Sequence, residues 1–191
     1  SAQHLFAMHS GLVKLVKSLE IGKDRIIRLL FPGELLGLEA LAEANYPLTA
    51  VTLRDSEICA ASRDEFANFL RTNPDVALGM IRFLVGEMSR VRTQVTDMCF
   101  KDARMKVATL LLSLATLDVS APIEAGRGFS LQLPVSRQEI SEILELSPET
   151  VSRTISAFRR EKLIDVRGRH VVIHSRPGLE VAARRSVAEA A

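Results

Sequence analysis

Ser136-Arg137-Gln138-Glu139-Ile140-Ser141-Glu142-Ile143-Leu144-Glu145-Leu146-Ser147-Pro148-Glu149-Thr150-Val151-Ser152-Arg153-Thr154-Ile155-Ser156-Ala157-Phe158-Arg159-Arg160-Glu161 carries two helix starts a short turn apart. Ser136 and Glu139 form a capping box: the serine accepts from an early amide and the glutamate reaches back to the cap amide, ahead of the apolar Ile140, Ile143 and Leu144. Ser147 is a second cap, with Pro148 at the first helical position, where its missing N–H costs nothing, and Glu149 placed to suit the helix dipole. Two capped helices at this spacing predict a helix-turn-helix for duplex DNA.

The second helix has two unlike faces. Val151, Ile155 and Phe158 recur at helical spacing and predict a packed face, while Glu149, Ser152, Arg153 and Ser156 share the opposite side. Arginine grips guanine O6 and N7 with a two-pronged fork, glutamate accepts from the cytosine amino group, and serine bonds to several base edges. Glu149, Ser152 and Arg153 are therefore the expected base-reading residues. Ser136, Arg137, Gln138, Ser147 and Thr150, at the two helix starts, are the expected phosphate contacts. The competing reading is an ordinary surface helix with a solvated polar face.

The stretch that follows favours DNA. Leu163-Ile-Asp-Val-Arg-Gly-Arg-His-Val-Val-Ile-His174 predicts two short strands around an Arg-Gly turn, a wing that brings Arg169 to a backbone phosphate. From Arg153 to Arg176 there are seven Lys/Arg against Glu161 and Asp165, a local balance of +5 in a chain whose net charge is only +2. Such a patch is rewarded on a polyphosphate by counterion release.

The N-terminal part has strand texture in Leu5-Phe-Ala-Met8, Leu12 to Lys17, Arg25 to Leu30, Thr49 to Leu53 and Glu57 to Ala61. Turn signals at Ser10-Gly11, Gly22-Lys-Asp24, Pro32-Gly33 and Asp55-Ser56 separate them. An all-β barrel or jelly roll is expected, and because it starts almost inside a strand, a front piece is expected to be missing. Ser62-Arg-Asp-Glu65 reads as another capping box. Past a break at Asn73-Pro74, Ile81, Leu84, Met88, Val91, Val95 and Met98 recur at alternating steps of three and four, an a/d seam for lengthwise helix pairing. A helix lying on its own barrel is the alternative. Lys101-Asp102-Ala103 is the expected hinge, with a helix from Met105 to Leu117 and a strand from Phe129 to Leu133 after it.

Composition and motifs narrow the function classes. Among the 191 residues, Cys59 and Cys99 are the two cysteines, too few for a disulfide framework, and no secretory leader or apolar run of spanning length is present, so a cytoplasmic protein without membrane partners is expected. One tyrosine and no tryptophan argue against an aromatic platform for single strands. The chain lacks Gly-x-Ser-x-Gly, a phosphate loop and metal-ligand spacing, which argues against an enzyme. A non-DNA-binding dimeric scaffold would leave Glu149, Ser152, Arg153 and the basic wing without purpose. His4 and His9 read as ordinary strand histidines, and Met80, Met88, Met98 and Met105 as core or seam. Cys59 reads as a small buried strand residue, and Cys99 as packing or a free thiol.

Pro32-Gly33-Glu34-Leu35-Leu36-Gly37, the long seam helix, Ser136-Arg-Gln-Glu-Ile140, Glu149-Thr-Val-Ser-Arg153 and the Gly168 wing together resemble the cyclic-AMP receptor protein and fumarate-nitrate regulator superfamily of bacterial transcription factors. The likeness covers essentially the whole chain. It implies an α+β architecture: a β-roll sensor (1–73, jelly-roll-like and truncated), a long dimerisation helix (74–101) and a C-terminal winged helix-turn-helix (102–191). Glu149, Ser152 and Arg153 match the fumarate-nitrate regulator branch, which implies a homodimer on a palindrome of TTGAT-like half-sites. The cyclic-AMP branch has a further arginine where this chain has Pro148. Contact with RNA polymerase is implied through Asp118 to Gly128 and Ala40 to Pro47. Aligned on Gly37, the glutamate and the Arg-Ser pair that hold cyclic AMP are replaced by Leu38 and Leu48-Thr49, so control by redox, a metal cofactor or another small molecule is implied instead. Cys59 stands where the oxygen-sensing regulator has a barrel cysteine ligating an iron–sulfur cluster; such a cluster would require further cysteines upstream of Ser1.

Overall fold

At Gly11 the backbone is left-handed (φ 96°), and an added Cβ would run into Ser56. Only glycine allows this corner, and it is where the chain leaves one sheet for the other. In the computed structural model, which describes residues 1–19, 24–100, 102–118 and 129–184, β1 (His4–Ser10) pairs with β4 (Leu35–Leu36) and β6 (Glu57–Ser62). Past the corner, β2 (Val13–Ser18) pairs with β3 (Asp24–Leu30) and β5 (Thr49–Thr52). All pairings are antiparallel. Met8, Val13 and Leu30 are buried together, with Leu15 and Leu36 packed against them. This is the expected β-roll. The turn at Gly22 lies outside the described residues.

Two local ties shape its loops. The Arg28 guanidinium donates to Glu34 Oε1 at 2.6 Å, and the Phe31 N–H donates to Glu34 Oε2 at 2.6 Å, which fixes Pro32-Gly33-Glu34 against β3. The Tyr46 hydroxyl donates to the His4 carbonyl at 2.6 Å and accepts from the His4 N–H at 3.0 Å, holding the 40–47 loop to β1. Cys59 corrects the sequence reading: it is exposed on β6. Most of β6 is solvent-facing, and a strand's own residues do not reveal which of its faces a second layer covers.

Helices α1 (Arg63–Thr72) and α2 (Pro74–Phe100) complete this unit, Ser1–Phe100. Ser62 caps α1 by accepting from the Glu65 amide, but its hydroxyl donates to the Glu65 carboxylate, so only half of the expected capping box forms. On α2, Ala77, Met80, Phe83 and Glu87 are half-buried, and Glu87 comes within 3.9 Å of Arg28 on β3. The other side is apolar and open: Ile81 is 56%, Leu84 40%, Met88 57% and Val91 52% exposed. The side chains of Val95, Met98 and Cys99 lie outside the described residues.

The second unit, Lys101–Ala191, is built on α3 (Ala103–Ala115), which Asp102 caps by accepting the Met105 N–H at 2.8 Å. The cap draws the helix start two residues ahead of the expected Met105. A sheet in the order β7 (Phe129–Gln132), β9 (His170–Ile173), β8 (Ile164–Arg167) and the helices α4 (Arg137–Leu144), α5 (Pro148–Arg160) and α6 (Arg176–Ala183) surround it. Leu114, Phe158, Leu131, Ile173 and Leu179 are all fully buried. Sequence reasoning missed α6, whose signal is the Ser175 cap ahead of Arg176-Pro177. Of the loop from Asp118 to Gly128, residues 119–128 lie outside the described residues. No described helix is long and apolar enough to cross a membrane.

Candidate nucleic-acid interface

The capping box at Ser136 forms in both directions. The Glu139 N–H donates to Ser136 Oγ at 3.2 Å, and the Ser136 N–H donates to Glu139 Oε2 at 2.8 Å. Helix α4 stops where Glu145 turns left-handed (φ 52°), with the Leu146 N–H returning to the Ser141 carbonyl at 2.9 Å. The Lys106 ammonium on α3 donates to the Leu144 carbonyl at 3.3 Å, satisfying one orphan acceptor of that helix end. Ser147 then caps α5, accepting the Thr150 N–H at 3.2 Å. These bonds fix both ends of the turn, and hence the angle at which α5 leaves it.

Helix α5 separates its two faces as the sequence requires. Val151, Ile155 and Phe158 are buried, and Thr154 joins them with its hydroxyl donating to the Thr150 carbonyl at 2.8 Å. Glu149, Arg153 and Ser156 are exposed and Ser152 is half-buried. No described residue forms an ion pair with Glu149 or Arg153; the Arg153 guanidinium reaches only the Thr150 hydroxyl, at 3.5 Å. A carboxylate and a guanidinium one helical turn apart, unpaired and on one exposed face, are equipped to accept from and donate to base edges.

The expected phosphate contacts divide. Arg137 and Gln138 are exposed at the start of α4. Ser136 and Ser147 are engaged as caps, and Thr150 shares its hydroxyl with Ser147 at 2.8 Å, so these three position the helices before they meet any ligand. The wing is present: Arg167 pairs with His170 across Gly168, whose φ of 63° closes the turn, and Arg169 is exposed at its tip while its carbonyl accepts the Leu133 N–H at 2.8 Å.

One anchor escaped sequence reasoning. Arg104, in the first turn of α3, donates to both carboxylate oxygens of Glu161 at 2.6 and 2.7 Å, and its guanidinium lies 4.8 Å from the centre of the Phe158 ring. It joins residues 57 apart in sequence and clamps the C-terminal end of α5. The two hydrogen bonds from Arg104, reinforced by its charge and that of Arg160, hold the Glu161 carboxyl below its ordinary range, while burial opposes them. The same bonds raise the Arg104 guanidinium.

Among the described residues no three His, Cys, Asp or Glu gather as a metal site, and Cys59 stands without such companions.

Comparisons with known proteins agree with this geometry. Residues 105–182 match the family described as the Crp-like helix-turn-helix domain, and residues 1–73 match the cyclic nucleotide-binding domain. The transcriptional activator protein FnrL of Cereibacter sphaeroides is 30% identical over 86% of this chain and 66% of its own length. The transcriptional activator protein FnrA of Stutzerimonas stutzeri is 30% identical over 92% of this chain and 70% of its own. The chain thus spans about two thirds of the length of these relatives. Among solved structures, FixK2 from Bradyrhizobium japonicum superposes with a TM-score of 0.75 at 26% identity, covering 97% of this chain and 90% of that one. With both halves matched in order, and with activators of the Fnr type as its relatives, the chain belongs to the Crp/Fnr superfamily of DNA-binding transcription factors, in its fumarate-nitrate regulator branch, and not to a family of enzymes.

Proposed function

We propose that this chain works as a homodimeric, sequence-specific transcriptional activator on a palindrome of TTGAT-like half-sites. The observation that carries the reading is the exposed, unpaired pair Glu149 and Arg153 on a helix whose opposite face is buried. In it, Glu149, Ser152 and Arg153 read bases, while Arg137, Gln138 and Arg169 hold phosphates and Ser136, Ser147 and Thr150 add contacts from the helix starts. The open stripe from Ile81 to Val91 on α2, which Val95 and Met98 continue in the sequence register, is the dimer seam, and Leu78 (53% exposed) and Val85 (56% exposed) widen it beyond the heptad positions. Pairing two copies places two recognition helices in successive major grooves about 34 Å apart. The division of labour is a sensor over 1–73, a dimerisation helix over 74–101 and a DNA-binding domain over 102–191. Activation goes through RNA polymerase, touched by the 40–47 loop that Tyr46 holds in place and by the 118–128 loop.

Control comes from a signal other than cyclic AMP. Leu38 and Leu48 supply neither an acceptor for a ribose hydroxyl nor a cation for a phosphate. The match of residues 1–73 to the cyclic nucleotide-binding domain favours a second reading, in which a nucleotide still binds by another route. An iron–sulfur cluster would need ligands beyond Cys59. Fluorescence anisotropy of a labelled TTGAT palindrome against a scrambled duplex, at one fixed salt concentration, tests the main reading. Discrimination of about 10³-fold or more is expected, and equal affinities would overturn it.

A further inference from the structure

Beside the base-reading face, the second unit contains an open groove of about 660 Å³, and the reading above assigns no individual contact to its charged lining. Ile164 forms part of it, and the charged lining is Arg159, Arg160, Lys162, Asp165 and His174. Asp165 is the single acid of this lining, and Arg159 offsets it at 3.4 Å. Arg160 acts electrostatically on Glu161, which Arg104 already holds, and no described carboxylate forms an ion pair with Arg160, Lys162 or His174. The groove therefore presents at least two unmatched cations in a concave site.

Its position is not arbitrary. Arg153, Ser156 and Arg160 follow one another at steps of three and four, so the exposed stripe that starts at Glu149 runs directly into the groove, with Ser156 on its rim. Lys162 carries a second mark. It sits just past the end of α5 with φ 57°, its N–H returning to the Arg159 carbonyl at 3.0 Å. Glycine is the residue that adopts this left-handed post-helix position without penalty. A lysine here is a backbone liability, and its ammonium lines the groove.

We propose that Arg160, Lys162 and His174 form a phosphate site, and that its occupant is a DNA backbone phosphate beyond the bases read by Glu149 and Arg153. Compact, unpaired lysine is suited to a single phosphate as a point charge, and arginine as a fork. The site rests on the DNA-binding reading and extends it: it adds affinity without sequence preference and sets the register of α5 along the groove.

The test uses Lys162→Gly in the full chain, because glycine relieves the backbone while removing the charge. Melting temperature should hold or rise. Affinity for TTGAT-type and scrambled duplexes should fall by the same factor, and the slope of log K against log salt should become shallower by about 0.9 for each lost contact. Lys162→Arg should recover most of the affinity. Retained binding with an unchanged slope in Lys162→Gly would overturn the site and leave the base-reading assignment standing. A parent chain that binds no duplex would overturn both. Inorganic pyrophosphate separates the sources of the phosphate: if it raises the melting temperature of the parent but not of Lys162→Gly while the DNA salt slope is the same in both, the occupant is a free anion and the DNA assignment falls.

Discussion

Removing Arg104 tests whether the recognition helix is held from its C-terminal end. The contact has two components. The bidentate pair with Glu161 is short, at 2.6 and 2.7 Å, but the side chains are 40% and 43% exposed, so solvent screening keeps it near the value of a surface pair, about 0.5–1 kcal/mol. The guanidinium over the Phe158 ring adds about 0.5–1 kcal/mol. Arg104→Ala should therefore cost about 1–2 kcal/mol, and Glu161→Gln, which leaves the ring contact in place, about half of that. The pH dependence has a definite sign. A carboxylate held below its ordinary range stabilises the fold above its unfolded pKa, about 4.3, and that share disappears as pH falls through the lower folded value. The gap between parent and Arg104→Ala should be constant from pH 7 to 5 and narrow below about 4.3 to the ring contribution alone. The chain has no tryptophan and its single tyrosine is Tyr46, in the first unit, so urea denaturation should be followed by circular dichroism, and hydrogen exchange of the 148–160 segment should report the helix itself. A gap that stays constant down to the acid limit, or exchange in 148–160 that is unchanged in Arg104→Ala, would refute the clamp.

Arg153→Ala should lose about 1–3 kcal/mol of discrimination at its base, whereas Arg169→Ala should weaken all duplexes alike and flatten the salt slope; equal losses on TTGAT-type and scrambled duplexes for Arg153→Ala would sink its assignment. The parent should be a dimer by light scattering at micromolar concentration without added effector, and Val91→Asp, which sets two like charges in a desolvating seam, should dissociate it; a monomeric parent would dispose of the seam. Calorimetry should register no cyclic-AMP binding, since a buried phosphate without a fixed cation costs several kcal/mol, and a micromolar dissociation constant would mean that another barrel cation, such as Arg54, reaches the phosphate.

What the sequence made legible was encoded over a few residues. Ser136 with Glu139, and Ser147 with Pro148, act within one helical turn, and both caps form as their spacing requires. The period of Val151, Ile155 and Phe158 says which face of α5 is buried without reference to what buries it. Glycine corners and β-branched runs located the strands for the same reason. Ser62 and Cys59 mark where local reading stops. The Glu65 carboxylate meets the Ser62 hydroxyl in place of the cap amide, a choice set by geometry that the four-residue motif does not contain. For Cys59, burial depends on whether another layer covers β6.

The candidate site divides along the same line. Glu149, Ser152 and Arg153 lie within one helix, and their joint exposure follows from its period. The clamp at Arg104 and the groove at Lys162 come from pairings across the fold: α3 against the end of α5, and β8 with the end of β9 beside it. Lys162 reads in the sequence as one more charge in a basic stretch, and Arg104 as an ordinary cation just past the hinge. Only once the chain is folded do they part company, because Arg104 is neutralised by Glu161 and Arg159 by Asp165, while Arg160, Lys162 and His174 keep no carboxylate within ion-pairing reach among the described residues. A balance of +5 from Arg153 to Arg176 therefore does not say which cations the surface offers a polyanion, because Glu161 is held from outside the stretch by Arg104 and Arg176 pairs with Glu180 beyond its end. The cations left without a carboxylate partner are the ones whose loss should appear in the salt dependence, and those already paired should appear in stability.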